Sequence, residues 1–189
     1  SLDSVFWNTG EYANSNSNDS RWKEIQKSHG LDLKPWRTRG DHILICLQRD
    51  SGWNAKGFEQ QEWLNKTIKI IRHQTHKPIL VRPHPANKID WNRITKNYSN
   101  ITISNSIHRT LDQDLNGAHA AVFFNSSSSV AASLAGIPVF VSDDSAVTWD
   151  IANHSTRNIL EPLMPNRDQW LWDLSAAHWN LEQSRNGSI

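Results

Sequence analysis

The sequence is poor in residues that would mark several common protein classes. It holds one cysteine and one methionine among 189 residues. A single cysteine cannot form a disulfide within the chain, and Cys46 lies in the apolar run HILICL, where we expect a buried small side chain. Because low thiol content fits a reducing compartment, we expect a cytoplasmic protein.

Charge of one sign and long apolar runs are also scarce. The net charge is +1 and the basic residues form no block, so we predict no nucleic-acid partner. No stretch approaches the ~20 apolar residues of a membrane helix, so we predict no membrane span. The first residues include neither an initiating Met nor a signal-peptide core, so we expect a piece of a longer protein.

Tryptophan, in contrast, is abundant, with 10 copies. Trp63, Trp170 and Trp172 fall in segments of helical spacing, where packing in a core or an interface explains them. Residues 1–40 are polar and include the low-complexity stretch ANSNSNDS. We interpret 1–40 as an N-terminal arm or interdomain connector, and 41–189 as the folded domain.

From residue 41 onward, uninterrupted apolar runs alternate with segments of helical spacing. The runs that predict strands are 42–48, 77–83, 100–105, 118–125 and 137–143. The segments that predict helices are 21–30, 58–75, 89–98, 107–117, 127–136 and 169–184. This alternation predicts an α/β fold, a Rossmann-like parallel sheet with helices on both faces.

In such a fold, ligands bind at the carboxyl ends of the strands, and three predicted strands end in polar groups. They end in QRDSGWN (48–54), RPHP (82–85) and NSSSS (125–129). We expect these three segments to meet along one edge of the sheet. No G-x-G-x-x-G follows the first strand, which argues against the usual dinucleotide site.

The serine block stands where the fourth strand passes into a helix. The first backbone N–H groups of a helix and its dipole bind phosphate, and hydroxyl groups add donors. One serine suffices for an N-cap. We therefore favour an anion site over capping alone, although one helix N-terminus can serve both roles. The candidates are Asn125, Ser126, Ser127, Ser128 and Ser129.

His84 lies in a rigid turn, because Pro83 and Pro85 each fix φ. From there it can donate to a phosphate or act as an acid toward a leaving group. The alternative is a turn histidine with a purely structural hydrogen bond. Arg82 adjoins it and offers a bidentate phosphate contact.

The segment after the first strand supplies Gln48, Arg49, Gly52 and Trp53. Arg49 is a candidate phosphate partner, Gly52 permits close backbone approach and Trp53 offers a stacking surface or lid. The alternative for Arg49 is a surface salt bridge with the neighbouring aspartate. Asp143, after the fifth strand, is a candidate for a ribose or sugar hydroxyl, or closes a turn.

His84-Pro85, the serine block and SLAGIPVF (133–140) resemble the C-terminal, donor-binding domain of GT-B glycosyltransferases. The pattern is similar to that of bacterial sialyltransferases and capsule Kdo transferases, which carry an HP motif and a later serine pair. The resemblance covers roughly residues 41–180. It implies that His84 binds the donor phosphate and assists departure of CMP, and that Ser127 and Ser128 hold the same phosphate.

The sequence departs from the GT-B pattern in two ways, one of which bears on the expected donor and the other on the expected number of domains. Many GT-B enzymes bind the donor ribose with a Glu in the helix after the serines, but here Val130, Ala131 and Ala132 stand there. This favours a CMP-sugar donor over a UDP- or ADP-sugar. A GT-B enzyme also needs a second domain, which residues 1–40 are too short to supply. We expect a missing N-terminal domain or a partner chain.

The predicted function is therefore that of a glycosyltransferase donor domain in polysaccharide biosynthesis. Its expected partners are a nucleotide-sugar donor and a glycan acceptor, with no metal and no cofactor. Two alternatives remain open at this stage. One is a non-catalytic module that binds a nucleotide or phosphorylated glycan, and the other is a nucleotide-sugar epimerase or phosphate-ester hydrolase on the same fold.

Overall fold

The computed structural model describes residues 16–49, 59–86 and 97–177. The chain divides into two compact units. One is Leu33–Met164, and the other combines Ser1–Asp32 with Pro165–Ile189. The domain boundary that we placed after residue 40 stays a prediction, and most of the predicted helix 89–98 lies outside the described residues.

The larger unit is built on a five-stranded sheet in the order β3-β2-β1-β4-β5. Every neighbouring pair is parallel, which confirms the predicted Rossmann-like α/β class. The strands are β1 (His42–Cys46), β2 (Ile79–Arg82), β3 (Ile101–Ile103), β4 (Ala118–Phe123) and β5 (Val139–Val141).

The helices of the described residues match the predicted ones in place and are mostly shorter. They are α1 (Ser20–His29), α2 (Gln60–Arg72), α3 (Leu111–Leu115), α4 (Ser128–Leu134) and α5 (Asp168–Ala176), with 3-10 turns at Trp149–Ile151 and Thr156–Asn158. α3 begins late because Thr110 and Gln113 form a capping box. The Thr110 hydroxyl accepts from Gln113 N at 3.2 Å, and Gln113 Oε1 accepts from Thr110 N at 2.9 Å.

β1 is the centre of the core because both of its faces are covered. Ile43 and Ile45 point to one face, and Leu44 and Cys46 to the other. Burying each of the larger aliphatic side chains contributes about 1.5–3 kcal/mol. The first face includes Leu64, Ile68 and Ile71 of α2, and the second includes Ala121, Phe123 and Ala132. Cys46 is buried as predicted, and burial raises the pKa of its thiol to about 12.

The smaller unit brings α1 and α5 together. Ser17 N donates to Asp173 Oδ1 at 2.7 Å, and Gln169 Nε2 donates to Ser17 O at 3.0 Å. Trp22 and Trp170 are buried, which agrees with packing as the reason for a tryptophan in the last helix. In the parts of the chain that are described, no helix has the length and apolar character needed to cross a membrane.

Candidate functional site

The candidate site lies where the strand order reverses. The chain runs from β1 outward to β2 and β3, then returns to the other side of β1 with β4 and β5. The carboxyl ends of β1 and β4 therefore form the switch point at which such sheets bind ligands. The ends of β2 and β4 flank β1, so the His84 turn and Asn125 are separated by about two strand spacings, roughly 10 Å. The described parts of the predicted polar segments, residues 48–49, 82–85 and 125–129, thus follow strands that end at this edge.

His84 is half-buried in the turn after β2. Its Nδ1 accepts a hydrogen bond from Ala86 N at 3.2 Å. Because Nδ1 is the acceptor, the neutral imidazole carries its proton on Nε2, which is then free to donate. His84, Pro83 and Pro85 line a cleft of about 220 Å³ whose other wall is residues 103–107.

The four serines have different environments. Ser129 is buried, and its hydroxyl accepts from Thr148 Oγ1 at 2.9 Å. The Ser126 hydroxyl accepts from Ser128 N at 3.3 Å, which shapes the turn into α4. Ser127 is the N-cap residue, yet it is exposed and its side chain makes no capping hydrogen bond. Capping therefore does not account for Ser127, and anion binding by the block stays a prediction.

Asn125 and Asp143 are brought together across the ends of β4 and β5. Asn125 Nδ2 donates to Ser145 Oγ at 2.8 Å and to Asp143 Oδ1 at 3.3 Å. Asp143 Oδ1 also accepts from Ser145 N at 3.1 Å and from the Ser145 hydroxyl. Asp143 thus closes a turn next to the serine block, and its contact with a ribose stays a prediction.

The segment after β1 is described only as far as Arg49. Gln48 O accepts from Gln60 Nε2 at 3.0 Å, which ties this segment to the first turn of α2. Arg49 is exposed at the edge of the sheet. Gly52 and Trp53 lie outside the described residues.

Arg82 is engaged inside the protein. Its Nη1 lies 2.6 Å from Asp114 Oδ2, an atom that also accepts from Ser104 Oγ at 2.5 Å. Arg109 Nε donates to Asp114 Oδ1 at 2.7 Å. We call Asp114 with these three residues the Asp114 cluster. A phosphate contact by Arg82 stays a prediction.

The Asp114 carboxyl has no solvent exposure. Burial by itself raises its pKa. The hydrogen bonds from Ser104, Arg109 and Arg82 and the Arg82 charge outweigh burial, and they hold the pKa below its ordinary value. The carboxylate is therefore charged at neutral pH and is matched by two guanidinium groups.

Sequence reasoning missed the Asp114 cluster, although one signal was present. Asp114 lies three residues after Leu111 and next to Leu115, so helical spacing places it on the face that α3 buries. An acidic residue on a buried helix face needs partners, which here come from three other segments.

Trp63 does more than fill space. Its Nε1 donates to Ser142 Oγ at 3.0 Å, and its ring meets Phe124 edge-on with centroids 6.1 Å apart. Trp63, Phe124, Ser142, Asp143 and neighbouring residues line a second cleft of about 310 Å³. Its size and its mix of aromatic and polar groups are those of a small-molecule cleft.

Within residues 16–49, 59–86 and 97–177, no group of three or more His, Cys, Asp or Glu side chains is placed to hold a metal ion. The donors at the edge are an imidazole, hydroxyls, an amide and an exposed guanidinium.

The parallel sheet and its strand order define a Rossmann-like α/β unit. Among solved structures, the chain is similar to the β-Kdo 2,7 transferase of Thermosulfurimonas dismutans KpsC. The TM-score is 0.56 and the identity 18%, over 88% of this chain and 55% of that one. It is also similar to the β-Kdo 2,4 transferase of the same organism's KpsC. There the TM-score is 0.55 and the identity 10%, over 92% of this chain and 59% of that one.

The wall teichoic acid polymerase TagF matches with a TM-score of 0.41 and 15% identity, over 86% of this chain and 43% of that one. No family model and no curated protein sequence matches. The chain covers 55% and 59% of the two transferase chains, which is little more than half of their length. The predicted resemblance is confirmed as a likeness of fold.

Proposed function

We propose that this chain binds the nucleotide-activated donor of a glycosyltransferase that modifies a polysaccharide or other surface acceptor. One observation carries the proposal: the switch point between β1 and β4 is flanked by the His84 turn and by residues 125–129. Ligands of open α/β sheets bind at such a point. Two solved structures that match with TM-scores above 0.5 are named as Kdo transferases, which supports this class of reaction.

In this proposal His84 donates from Nε2 to the donor phosphate, while Ser127 and Ser128 add hydroxyl donors. The bond between the anomeric carbon and the phosphate oxygen breaks, and negative charge grows on the departing phosphate. Donors that are already in place stabilise that charge, and Arg49 adds a positive charge at the same edge. His84, when protonated, can also give a proton to the leaving group.

We favour a CMP-sugar as the donor. In the GT-B enzymes that this chain resembles, a carboxylate in the helix after the serines often binds the ribose of a UDP- or ADP-sugar. In α4 the corresponding positions are Val130, Ala131 and Ala132, none of which can accept a hydrogen bond from a ribose through its side chain. A monophosphate donor also needs fewer charge-neutralising groups than a diphosphate.

The acceptor needs a binding site and a catalytic base, and we assign both to another domain or to a partner chain. In an inverting transfer, an acceptor hydroxyl attacks the anomeric carbon and loses its proton to a base. We assign that base, and the acceptor site, to the domain that faces the carboxyl edge in a GT-B enzyme. The part played by this chain is then donor binding and departure of the nucleotide.

A thermal-shift panel tests the donor proposal, with CMP, CDP, UDP, GDP and ADP each added to the purified chain. We expect CMP to raise the melting temperature most. The double variant Ser127→Ala/Ser128→Ala should lose that shift, because it removes both hydroxyl donors. His84→Ala should weaken CMP binding by roughly 10- to 150-fold, since a hydrogen bond to a charged group contributes about 1.5–3 kcal/mol.

Two exposed residues away from the candidate site serve as matched controls: Ser99 precedes β3 at the opposite edge of the sheet, and His73 follows the last residue of α2. Ser99 and His73 are exposed there, so Ser99→Ala and His73→Ala should leave the CMP shift unchanged. No shift with any of the five nucleotides would contradict the proposal. A CMP shift of full size in His84→Ala, with no sugar transfer by the complete protein, would favour a non-catalytic binding module.

A further inference from the structure

The Asp114 cluster links the elements that form the His84 cleft. Asp114 lies in α3, Arg82 is the last residue of β2, and Ser104 follows β3. Both carboxylate oxygens are used, Oδ2 by Arg82 and Ser104 and Oδ1 by Arg109. The main chain is fixed as well, because Asp114 O lies 2.9 Å from His42 Nε2 at the start of β1.

Two of these partners adjoin the candidate site directly. Arg82 precedes His84 by two residues, and the intervening Pro83 has a fixed φ, which restricts how the imidazole can move relative to Arg82. Ser104 lines the opposite wall of the same cleft. A single buried carboxylate therefore binds one side chain from each of the two segments that form the cleft in which His84 lies.

Burial of the Asp114 carboxylate makes the hydrogen bonds of the cluster difficult to break. A carboxylate with no solvent exposure has no water to replace a lost partner, so each hydrogen bond is costly to break. Arg109 is about half exposed, with 47% of its side chain accessible, and it completes the charge balance from the outer side. Its Nη2 also donates to Gln113 O at 3.1 Å, which anchors it to α3.

We propose that Asp114 is a positioning residue of the candidate site, which holds the His84 imidazole at the donor phosphate through Arg82 and holds the facing wall through Ser104. Asp114 itself does not touch the donor. The role rests on the proposed function, in which His84 contacts that phosphate. It goes beyond that function because it assigns the positioning of the His84 ring to the buried Asp114 cluster.

Asp114→Asn tests this role because it preserves shape but removes the charge that the two guanidinium groups neutralise. Asp112→Asn is the matched control, since Asp112 is an exposed aspartate in the same helix. The first readout needs no ligand: the imidazole ¹⁵N and ¹³C resonances of His84 during a pH titration, identified by their loss in His84→Gln. The second readout is the CMP dissociation constant by calorimetry.

We expect Asp114→Asn to change the His84 tautomer balance or titration midpoint and to weaken CMP binding at least tenfold. Asp112→Asn should match the wild type in both. If Asp114→Asn is too unstable to study, Ser104→Ala and Arg109→Ala each remove one bond of the cluster, and each should change the His84 resonances by less. Wild-type His84 resonances in folded Asp114→Asn, or in both milder variants, would overturn the proposal.

The two readouts separate failure of this proposal from failure of the proposed function. If wild-type protein binds none of the nucleotides, the donor proposal fails, and the His84 titration still decides whether Asp114 positions the ring. If CMP binds and Asp114→Asn binds it as tightly as Asp112→Asn does, the positioning role fails while donor binding stands.

Discussion

Gly136 occupies a point where the backbone leaves no room for a side chain. Its φ of +76° lies in the left-handed region, and a Cβ added there would lie 2.1 Å from Pro35 O. The close approach is held by two main-chain hydrogen bonds, from Lys34 N to Leu134 O at 2.9 Å and from Arg37 N to Gly136 O at 2.6 Å. The glycine in SLAGIPVF is therefore required by the way residues 34–37 lie against the end of α4.

Gly136→Ala should destabilise the protein more than the same change at Gly117. Both glycines have positive φ, so each alanine costs about 1–2 kcal/mol for the left-handed backbone. At Gly117 the nearest atom to an added Cβ is Asp41 Oδ2 at 3.4 Å, an ordinary contact, whereas Gly136→Ala must also displace main chain. That displacement adds about 1–3 kcal/mol.

Urea denaturation of the two alanine variants measures the difference, with midpoint and slope compared to wild type. Equal losses of unfolding free energy in the two variants would show that residues 34–37 move away from α4 at no cost.

At the scale of the secondary-structure elements, Arg72 joins three segments at the amino edge of the sheet. Its guanidinium lies at the end of α2 and donates to four carbonyl groups. Nη1 donates to Thr75 O at 3.3 Å and Lys77 O at 2.9 Å, and Nη2 to Ser99 O at 3.1 Å and Asn100 O at 2.9 Å. α2 and the segments that lead into β2 and β3 are thus held by one side chain.

Arg72→Met should lower the free energy of unfolding by about 1.5–3 kcal/mol, because four carbonyls, two of them part-buried, lose a charged donor while the aliphatic stem is kept. Lys69→Met is the control on the same helix: Lys69 is exposed, so its change should stay within about 0.5 kcal/mol. Hydrogen exchange should accelerate in β3 before β1. Unchanged β3 protection in Arg72→Met would contradict a role in holding that strand.

The sequence predicted the existence of the elements better than their limits. Buried strands of a parallel sheet are continuous apolar runs, which is why β1, β4 and β5 were found, whereas β3 is a short strand with an exposed central threonine. β5 is shorter than 137–143 because Pro138 has no N–H, and because Ser142 N and Asp143 N both donate to Phe124 O instead of extending a ladder.

The site was less predictable, because hydrogen-bond partners depend on tertiary neighbours. Four consecutive serines look alike in sequence, yet Ser129 is buried with Ala132 and Ser133 on the inner face of α4, and Ser127 is exposed. Helical spacing from Ala132 would have separated them. The partners of Asp114 come from β2, from the residues after β3 and from the turn before α3, and no local pattern predicts that meeting.

For the whole molecule, a buried histidine couples folding to pH. His119 in β4 is buried, and its Nε2 donates to Ile159 O at 3.1 Å. Burial, together with the positive charge of Lys77, lowers the pKa of His119 below its ordinary value of 6.5. The unfolded chain therefore binds this proton at a higher pH than the folded one. Stability falls as pH drops below about 6.5 and levels off once the folded pKa is passed.

His119→Gln should flatten this acid-side loss, although it lowers stability at neutral pH by disturbing the packing of β4. The measurement is the unfolding free energy between pH 8 and pH 5, from urea titrations of wild type, His119→Gln and the exposed-residue control His76→Gln. The control should follow the wild-type curve. Parallel curves for wild type and His119→Gln would show that His119 does not set the acid sensitivity.

The position of β1 at the centre of the sheet also constrains how the chain reaches its native state. His42 pairs with Ala118, although β2, β3 and the helices between them intervene in sequence. Closing such a long loop costs conformational entropy before any contact compensates for it. Strands that are distant in sequence therefore pair slowly during folding. During synthesis from the N-terminus, β1 leaves the ribosome long before β4. Its unpaired edge and the apolar surfaces that β4 and α4 will cover stay open during that interval, which is when the chain is most prone to aggregate and most dependent on chaperones.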